Sequence, residues 1–578
     1  MRPSRKTASP VAEEVDVVVV GLGGAGACAA IQAAGEGCRV LVLERFAGGG
    51  ATRKSGGVIY AGGGSAAQRA AGFQDSAEEM VRYLRRETGG SVPDPILRSF
   101  CEGSLEQLAW LEGLGLTFPE KCFVGKTTQP PDGFGLYFSG NERQRGADAR
   151  PAPRGHLPAG RGMTGGVLYA ALERAVRARG VEVRWHSPVA RLLIEEGRVV
   201  GVEVRELRRN RVVRALQRAL AGLTMAHRAF GAILRWVERV LSRTYLVRAR
   251  GGVVIAAGGF VFNRAMMRRF ARAYARCMPL GTAGDDGAGI RLGESAGGGL
   301  TSMSSCAASR FYSPPLALSE GLLVNTRGER ICDETLYGAT LSRQIAEQPG
   351  GLAHLVVDSR MVRLARAQMK EEERLRDHSL GDIVSGRMNA LIFRKAMALS
   401  NLRLNRKRAV SLAGLARKCR LPPETLTATV AAYNRAIEQG APDAMGKEAG
   451  LRSPILEPPF YAIDCRLGSQ LFPAPCLTLG GLRVEGSTGQ VLAEQGSPIP
   501  GLYAAGRSAA GICAESYVSG LSLADCIFSG RNAGRSAADA VRRSPLNHDG
   551  VAGDAPQADL SPLGPEGPGP QPDPRAAA

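Results

Sequence analysis

The sequence predicts an α/β fold organised around a nucleotide-binding unit near the N-terminus. Residues 15–20 form an apolar, β-branched run that is typical of a fully buried strand. A helix of small residues and a second strand, residues 39–43, follow, and Glu44 closes that strand. Between the first strand and the helix stands a turn with the spacing G-x-G-x-x-G: Gly21, Gly23 and Gly26. This order of elements is typical of a βαβ unit that binds a dinucleotide.

Each residue type in this unit meets a physical need of the ligand. Gly21 allows the tight turn, Gly23 lets the backbone approach a pyrophosphate, and Gly26 lets the helix pack closely on the strand. The helix N-terminus faces the negative charge of the phosphates. Glu44 can accept hydrogen bonds from the hydroxyls of an adenosine ribose.

Composition and length place the chain among globular proteins of two or three domains. It has 578 residues, of which 44% are hydrophobic and 75 are glycine. Its twelve cysteines are scattered without a C-x-x-C pair, which argues against a zinc site or a disulfide frame and favours the reducing cytoplasm. The first residues lack the apolar core of a signal peptide, and no uncharged apolar run is long enough to predict a transmembrane helix.

Half of the net charge of +20 comes from one stretch, residues 205–250, which holds twelve arginines and only two acidic residues, Glu206 and Glu238. Apolar residues recur there at helical spacing and predict two amphipathic helices that interrupt a pair of strands. Three interpretations of this insertion stay open: a solvated helical hairpin, a contact with an anionic membrane surface, or nucleic-acid binding, which lacks a recognised fold here and is not expected.

Residue composition and the pattern of predicted elements divide the chain into five parts. Residues 1–14 are a polar leader, and residues 544–578, rich in proline and glycine, are expected to be disordered. Strands and glycine turns of the nucleotide-binding type occupy residues 15–279 and return in residues 460–543. Residues 280–459 lack this pattern of strands and glycine turns, and they predict an inserted α+β region. The nucleotide-binding domain is therefore expected to be discontinuous.

Several motifs together carry a resemblance to a known family. The segments VVVVGLGGAG, GGGATRKSGG, VVIAAGGF, LYAAGR and SGLSLAD resemble those of FAD-dependent oxidoreductases of the fumarate reductase and 3-ketosteroid dehydrogenase superfamily. Two segments, SGGVIYAGGGSAAQ and AESYVSGLSLADCIFSGR, are most similar to the bacterial 3-ketosteroid Δ4-(5α)-dehydrogenases. The resemblance covers residues 15–543 apart from the basic insertion. It implies a Rossmann-like FAD-binding domain with an inserted α+β catalytic cap.

The resemblance also assigns cofactor contacts. The pyrophosphate is expected at Gly21, Gly23, Gly24, Ala25 and Gly26. The adenosine is expected at Glu44, Arg45, Val189, Ala257 and Gly258. The ribityl chain and flavin are expected at Thr52, Ser55, Gly56, Gly57, Gly506, Arg507, Ser522 and Leu523. Many relatives carry glutamate where this chain has Arg507, so this position departs from the family pattern. No histidine stands in residues 51–57, where some relatives attach FAD covalently, so the FAD is expected to be non-covalent, and no metal is expected.

The residues favour a ketosteroid over a dicarboxylate as substrate. The R-G-E-G-G signature of the fumarate branch is absent, and the equivalent stretch reads LALSEGLLVN. Proton removal next to a ketone requires a positioned base and a carbonyl polariser, and hydroxyl groups can serve in an apolar pocket. By resemblance, Tyr517 is the proton acceptor, Ser519 its relay and Tyr312 a partner hydroxyl. A tyrosine base needs a relay, because its ordinary pKa is near 10. The residues alone also permit Tyr312 to be a packed aromatic and Tyr517 a neighbour of a helix cap.

The resulting hypothesis is an FAD-dependent dehydrogenase that introduces a double bond next to the ketone of a 3-ketosteroid or similar fused-ring ketone. The alternatives are a 3-ketosteroid Δ1-dehydrogenase, a fumarate-type or enone-type flavin reductase, or a flavin-containing membrane or nucleic-acid binding protein without turnover. The electron acceptor is not indicated. We expect a cytoplasmic protein, with peripheral contact to the inner face of the membrane through residues 205–250.

Overall fold

A computed structural model describes residues 11–127, 129–144, 148–224, 229–310, 312, 315–374, 398–469, 471 and 473–543. The tail predicted to be disordered, residues 544–578, and most of the predicted leader lie outside the described residues. The strands are β1 (Val11–Val20), β2 (Val40–Glu44), β3 (Ile59–Tyr60), β4 (Cys122–Phe123), β5 (Leu136–Tyr137), β6 (Gly155–His156), β7 (Glu182–Trp185), β8 (Val189–Glu195), β9 (Arg198–Leu207), β10 (Ser242–Ile255), β11 (Met278–Pro279), β12 (Leu300–Thr301), β13 (Cys306–Ala308), β14 (Leu322–Val324), β15 (His354–Val357), β16 (Arg406–Ala409), β17 (Phe460–Asp464), β18 (Pro475–Thr478), β19 (Gly481–Leu482), β20 (Gln490–Leu492) and β21 (Pro498–Ala504).

The α-helices are α1 (Gly24–Gly35), α2 (Gly50–Lys54), α3 (Ala66–Ala70), α4 (Ala77–Glu87), α5 (Asp94–Glu102), α6 (Ser104–Gly113), α7 (Gly165–Ala178), α8 (Arg211–Leu223), α9 (Ala229–Val240), α10 (Arg264–Phe270), α11 (Ala288–Ser295), α12 (Gly338–Ala346), α13 (Ser359–Arg374), α14 (Leu412–Cys419), α15 (Pro423–Glu438) and α16 (Leu521–Arg543). In the described part of the chain, no helix has both the length and the apolar character that a membrane span requires.

The largest sheet has eight strands, and its parallel centre confirms the predicted α/β architecture. Its order is β20-β21-β10-β1-β2-β7, with β9 pairing to β10 and β8 to β9. Strands β21, β10, β1, β2 and β7 run parallel to their neighbours in this order. Successive valines of β1 are buried on opposite faces, Val17 and Val19 on one and Val18 on the other, because the sheet is covered on both sides. The strand begins at Val11, so the predicted polar leader ends earlier than residue 14.

Two further sheets involve the predicted cap region, and one of them also takes strands from the residues on either side of it. A four-stranded antiparallel sheet has the order β14-β15-β17-β16, and a three-stranded sheet has the order β11-β18-β13. Strand β17 pairs with β15, so residues 460–464 belong with the cap sheet and not with the returning half of the nucleotide-binding domain. A strand, β16, lies between α13 and α14. Its sequence, RKRA, has no apolar alternation that would signal a strand.

The basic stretch forms two helices, α8 and α9, at the end of the β9–β10 pair. These strands pair antiparallel out to Leu207 and Ser242, as the prediction of an interrupted strand pair requires. We call residues 208–241 the insertion hairpin. Its buried residues Leu220, Leu234 and Val237 pack against Phe46, which follows β2. The insertion hairpin is therefore docked on the nucleotide-binding domain and is not a free appendage.

Candidate cofactor and active site

The glycine turn lies where parallel strands of the large sheet end. Gly23 precedes the first residue of α1, and the amide of Gly24 donates to the Thr52 hydroxyl at 3.0 Å. A Cβ on Gly26 would overlap the carbonyl oxygen of Gly21, so a side chain there would force the helix away from the turn. A Cβ on Gly23 would have no heavy atom within 4 Å, so that side of the turn is open to a ligand. The amide groups at the start of α1 favour an anion there.

Glu44 ends β2 beside this turn. Its two carboxylate oxygens accept the amides of Leu22 and Phe46, each at 2.7 Å. Burial raises the pKa of this carboxyl, while the two amides act in the opposite direction. Each oxygen keeps a further lone pair, so the carboxylate can still accept the hydroxyls of a ribose.

Arg45 is fixed by carboxylates from two distant parts of the chain. It forms a fork with Glu238 of α9, with both nitrogen–oxygen distances 2.9 Å, and a third bond to Asp286 at 3.0 Å. Burial disfavours the charge on Arg45, but the carboxylates of Asp286 and Glu238 outweigh this and raise its pKa. The charged guanidinium is thereby held in one orientation.

The other predicted cofactor residues lie on α2, at the start of α16 and in segments next to strands of the large sheet. Thr52 lies on α2, and the Ser55 hydroxyl donates to its carbonyl at 2.7 Å and accepts the amide of Gly57 at 3.2 Å. Ser522 and Leu523 lie in the first turn of α16, where a helix leaves amide hydrogens without internal acceptors. The remaining members lie directly after β10 and β21, beside α2, or at the start of β8: Ala257, Gly258, Gly506, Gly56 and Val189.

Arg507, the position that departs from the family pattern, has a side chain that is 11% exposed and pairs with Asp285 at 2.8 Å. Its other terminal nitrogen is buried and has no hydrogen-bond partner among the described residues. A buried guanidinium nitrogen with an unused donor fits an acceptor supplied by a bound ligand, such as a phosphate or a ribityl hydroxyl.

Four hydroxyl-bearing residues meet just before α16, and we call them the hydroxyl cluster: Tyr137, Tyr337, Tyr517 and Ser519. The Tyr137 hydroxyl donates to the Ser519 hydroxyl oxygen at 3.3 Å. The rings of Tyr337 and Tyr517 lie 6.3 Å apart. Tyr337, Tyr517 and Ser519 are half-buried, whereas Tyr137 is fully buried. The cluster thus combines three partly accessible side chains with one hydroxyl, that of Tyr137, in the protein interior.

Backbone contacts hold the cluster in place. The Ser519 amide donates to the Ser139 carbonyl at 3.1 Å, and the Ser139 hydroxyl donates to the Ser519 carbonyl at 2.9 Å. The amide of Tyr337 donates to the side-chain oxygen of Asn141 at 2.5 Å. Segments from β5, the cap and the start of α16 therefore converge on one point.

Burial keeps these phenols protonated near neutral pH. It raises the pKa of Tyr337 to about 12, although a hydrogen bond with Ser519 acts against the increase. It also raises the pKa of Tyr517 well above its ordinary value, and the neighbouring Tyr337 adds to this effect. A proton taken up by Tyr517 must therefore be passed on, because the phenolate is not available as a standing base.

Tyr312 lies in the core of the cap, 2% exposed, and donates its hydroxyl to the carbonyl of Glu334 at 2.9 Å. No described contact joins it to Tyr517 or Ser519, although Glu334 stands three residues before Tyr337 in the same segment. Sequence reasoning did not single out Tyr137, Tyr337 or Asp286. Each is an isolated residue in a loop or at a strand end, and no local pattern distinguishes it.

Comparisons with known proteins identify the family of this chain. The family model described as FAD binding domain matches residues 16–520. The chain is 36% identical over 510 residues to the 3-oxo-5-alpha-steroid 4-dehydrogenase of Comamonas testosteroni, covering 85% of this chain and 92% of that protein. The chain therefore belongs to the FAD-binding family and is an FAD-dependent oxidoreductase.

Two solved structures share the fold. The 3-ketosteroid-delta4-(5alpha)-dehydrogenase of Rhodococcus jostii RHA1, solved with 4-androstene-3,17-dione, matches with a TM-score of 0.75 and 31% identity, covering 93% of this chain and all of that one. The 3-ketosteroid delta1-dehydrogenase of Sterolibacterium denitrificans matches with a TM-score of 0.62 and 19% identity, covering 91% of this chain and 99% of that one. These matches confirm the predicted class of fold, and the FAD binding domain model confirms the predicted cofactor, FAD.

Proposed function

We propose that this protein is an FAD-dependent dehydrogenase that introduces a carbon–carbon double bond next to the ketone of a 3-ketosteroid, at the Δ4 position. The hydroxyl cluster at the start of α16 carries this proposal, because it places uncharged proton-transfer groups beside a helix N-terminus of the cofactor domain. The relative from Comamonas testosteroni, a 3-oxo-5-alpha-steroid 4-dehydrogenase, supports the substrate class.

The role that we propose for each residue follows from the position of its hydroxyl. Tyr517 takes the proton from the carbon next to the ketone as its own phenolic proton leaves through the half-buried Ser519 to solvent, while Tyr137 donates to the Ser519 hydroxyl oxygen at 3.3 Å and supports it. FAD, when bound, supplies the hydride acceptor. Neutral hydroxyls suit this step because an apolar steroid pocket would penalise a charged base. An external electron acceptor completes each turnover.

Tyr312 is assigned as a partner hydroxyl by the same proposal. Its proton is donated to Glu334 in this structure, so it must exchange that bond for one to the substrate or to another member of the site. Tyr337 is a second group able to donate to the ketone, because it is half-buried and stands beside Tyr517.

The direct test is anaerobic reduction of the bound flavin. A saturated 3-ketosteroid is expected to bleach the yellow holoenzyme and to yield the Δ4-enone. Tyr517→Phe should keep the flavin but reduce it about a hundredfold or more slowly, within the range of general acid–base contributions. Tyr433→Phe, a buried tyrosine of α15, is the matched control and should react as the wild type does.

Other outcomes of this experiment would each support one of the alternative functions. A product with a double bond at C1 would establish a Δ1-dehydrogenase instead. Oxidation of the reduced enzyme by fumarate or by an enone, without bleaching by any saturated steroid, would establish a reductase. A yellow protein that neither steroids bleach nor enones oxidise would remove the enzymatic proposal altogether.

The insertion hairpin is the part of the chain that we propose to contact an anionic membrane surface. Val212, Leu216 and Leu223 of α8 are exposed and recur at helical spacing, and Trp236 of α9 is 61% exposed. Exposed arginines lie beside these apolar side chains: Arg211, Arg218, Arg235 and Arg239. Apolar side chains flanked by cations suit an interface with acidic lipid headgroups, and a steroid partitions into such a membrane.

Vesicle binding tests this contact. The full chain should sediment with vesicles that contain phosphatidylserine but not with neutral vesicles, and added salt should weaken the binding. Replacing Trp236 and Val212 by serine should reduce it, whereas Leu456→Ser, an exposed leucine of the cap, is the control. If wild type and the hairpin variant sediment equally, the insertion hairpin is a solvated surface and not a membrane contact. If the protein shifts the mobility of DNA but does not bind vesicles, the insertion hairpin binds nucleic acid.

A further inference from the structure

The insertion hairpin encloses the segment that follows β2. The side-chain amide of Gln217, on α8, donates to the backbone carbonyl of Arg45 at 3.0 Å and to Glu238 at 2.9 Å. Its oxygen accepts from the Nδ1 of His186 at 2.5 Å. Gln217 is completely buried, so these bonds form in a site without competing water. One side chain of the insertion hairpin therefore links the segment after β2, helix α9 and the segment after β7.

The orientation of His186 agrees with this network. Burial lowers the pKa of His186, so its ring is neutral near physiological pH. Since the Gln217 oxygen only accepts, the ring proton must lie on Nδ1. The Gln217 amide group is then left to donate to its other two partners, and all of its bonds are satisfied at once.

Glu238 makes a second link. Of the two acidic residues in the basic stretch, Glu206 pairs at the surface with Arg209, while Glu238 is 6% exposed and forms the fork with Arg45. A stretch with twelve arginines thus directs its buried carboxylate inward, towards a cation of the nucleotide-binding domain. A helical hairpin that was only a solvated, charged surface would not need a buried carboxylate paired with another part of the chain.

Phe46 completes the enclosure. Its ring packs with Leu220, Leu234 and Val237 of the insertion hairpin, and the Arg45 guanidinium lies 5.0 Å from its centre. The Phe46 amide donates to Glu44, the carboxylate placed to receive the ribose. Movement of Phe46 would therefore turn Glu44 away from its present orientation.

We infer that Gln217 and Glu238 are positioning residues of the insertion hairpin that hold the segment Glu44, Arg45 and Phe46 in place and thereby set the affinity for the adenosine half of FAD. The insertion hairpin acts on this half because its bonds end on the segment after β2. The hydroxyl cluster belongs to other segments, so the flavin half is not directly affected.

Displacement of FAD from the holoenzyme tests this inference without any measurement of turnover. Release of FAD, followed by its fluorescence, gives the FAD affinity, and displacement by added ADP gives the affinity for the adenosine half. Gln217→Ala should weaken the binding of both FAD and ADP about tenfold, which corresponds to the loss of one or two buried hydrogen bonds. The visible spectrum of the bound FAD, which reports the flavin half, should not change.

The controls separate positioning from general loss of structure. Arg218→Ala changes the neighbouring, exposed residue of α8 and should leave both affinities unchanged. Glu238→Gln removes the fork and should act in the same direction as Gln217→Ala. If Gln217→Ala does not fold, a variant with Asn-Gly in place of residues 208–241 closes the β9–β10 pair at Leu207 and Ser242, and should show the larger loss. Unchanged ADP affinity in Glu238→Gln and in this variant would overturn the inference, as would an equal change in Arg218→Ala.

Discussion

Gly520 connects the hydroxyl cluster to α16, and its replacement by alanine should disable the site. Its φ is +94°, a region that costs a residue with a side chain about 1–2 kcal/mol. A Cβ there would lie 2.8 Å from the amide nitrogen of Tyr60 and 2.8 Å from Val58. The Tyr60 amide also donates to the Gly520 carbonyl at 3.2 Å, so backbone and not a flexible side chain must yield.

The displacement would reach two neighbours of Gly520 to which we assign roles in the proposed site. Ser519 precedes it, and Ser522 begins the amide groups expected to face the flavin. A shift of about 1 Å in such a site slows the chemical step about a hundredfold. We therefore expect Gly520→Ala to lower the melting temperature and to slow anaerobic flavin reduction by about that factor, measured by stopped-flow absorbance with a saturated 3-ketosteroid.

Gly113→Ala provides the control. Gly113 ends α6, and a Cβ there would have no heavy atom within 4 Å, so alanine should be neutral or slightly stabilising. A Gly520→Ala enzyme that reduces its flavin within threefold of the wild-type rate would refute the reasoning, because the backbone would then have absorbed the change without moving the site.

The remaining predictions concern the proton path and the cofactor. Tyr137→Phe removes the inner hydroxyl of the cluster and should slow flavin reduction about tenfold in stopped-flow experiments, whereas an unchanged rate would show that Tyr137 does not support Ser519 in the relay. Because burial raises the pKa of Tyr517, the wild-type reduction rate should climb as the pH increases, and a rate that falls between about pH 7 and 9 would contradict this assignment. Glu44→Gln should weaken FAD binding at least about tenfold in fluorescence titrations, since an amide group would oppose one of the two backbone amides that Glu44 accepts, and full affinity would contradict its role. Acid precipitation of the holoenzyme should leave all FAD in the supernatant, and yellow precipitate would indicate a covalent bond.

Much of the cofactor domain could be predicted from the sequence because its signals are local. A buried β-branched run, a glycine spacing and a closing acid lie within one short stretch, and the structure places β1, α1, β2 and Glu44 accordingly. The amphipathic helices of the insertion hairpin follow from periodicity in the same way. The edge of the cap was harder to place, because β17 joins the cap sheet through pairing with β15, a strand about a hundred residues earlier.

The geometry of the active site carries no such local signal. Tyr137 and Ser519 are separated by 382 positions and meet only because the segments after β5 and before α16 hydrogen-bond to each other through Ser139 and Ser519. Motif resemblance predicted roles for Tyr517 and Ser519, but nothing near Tyr137 or Tyr337 marks them as partners. Tyr312 shows the converse: its motif is recognisable, yet its hydroxyl is held by the cap backbone.

The sequence by itself determined the βαβ unit, the class of cofactor and the existence of a basic helical insertion, because each follows from residue spacing within a few turns of chain. Tertiary structure decided what those parts contact. Arg45 is followed along the chain by small and apolar residues, and only the folded chain brings Glu238, 193 positions away, and Asp286, 241 positions away, to its guanidinium. Ion pairs and hydrogen bonds act over a few ångströms of space, so their partners are fixed by the sheet topology and not by the order of the sequence.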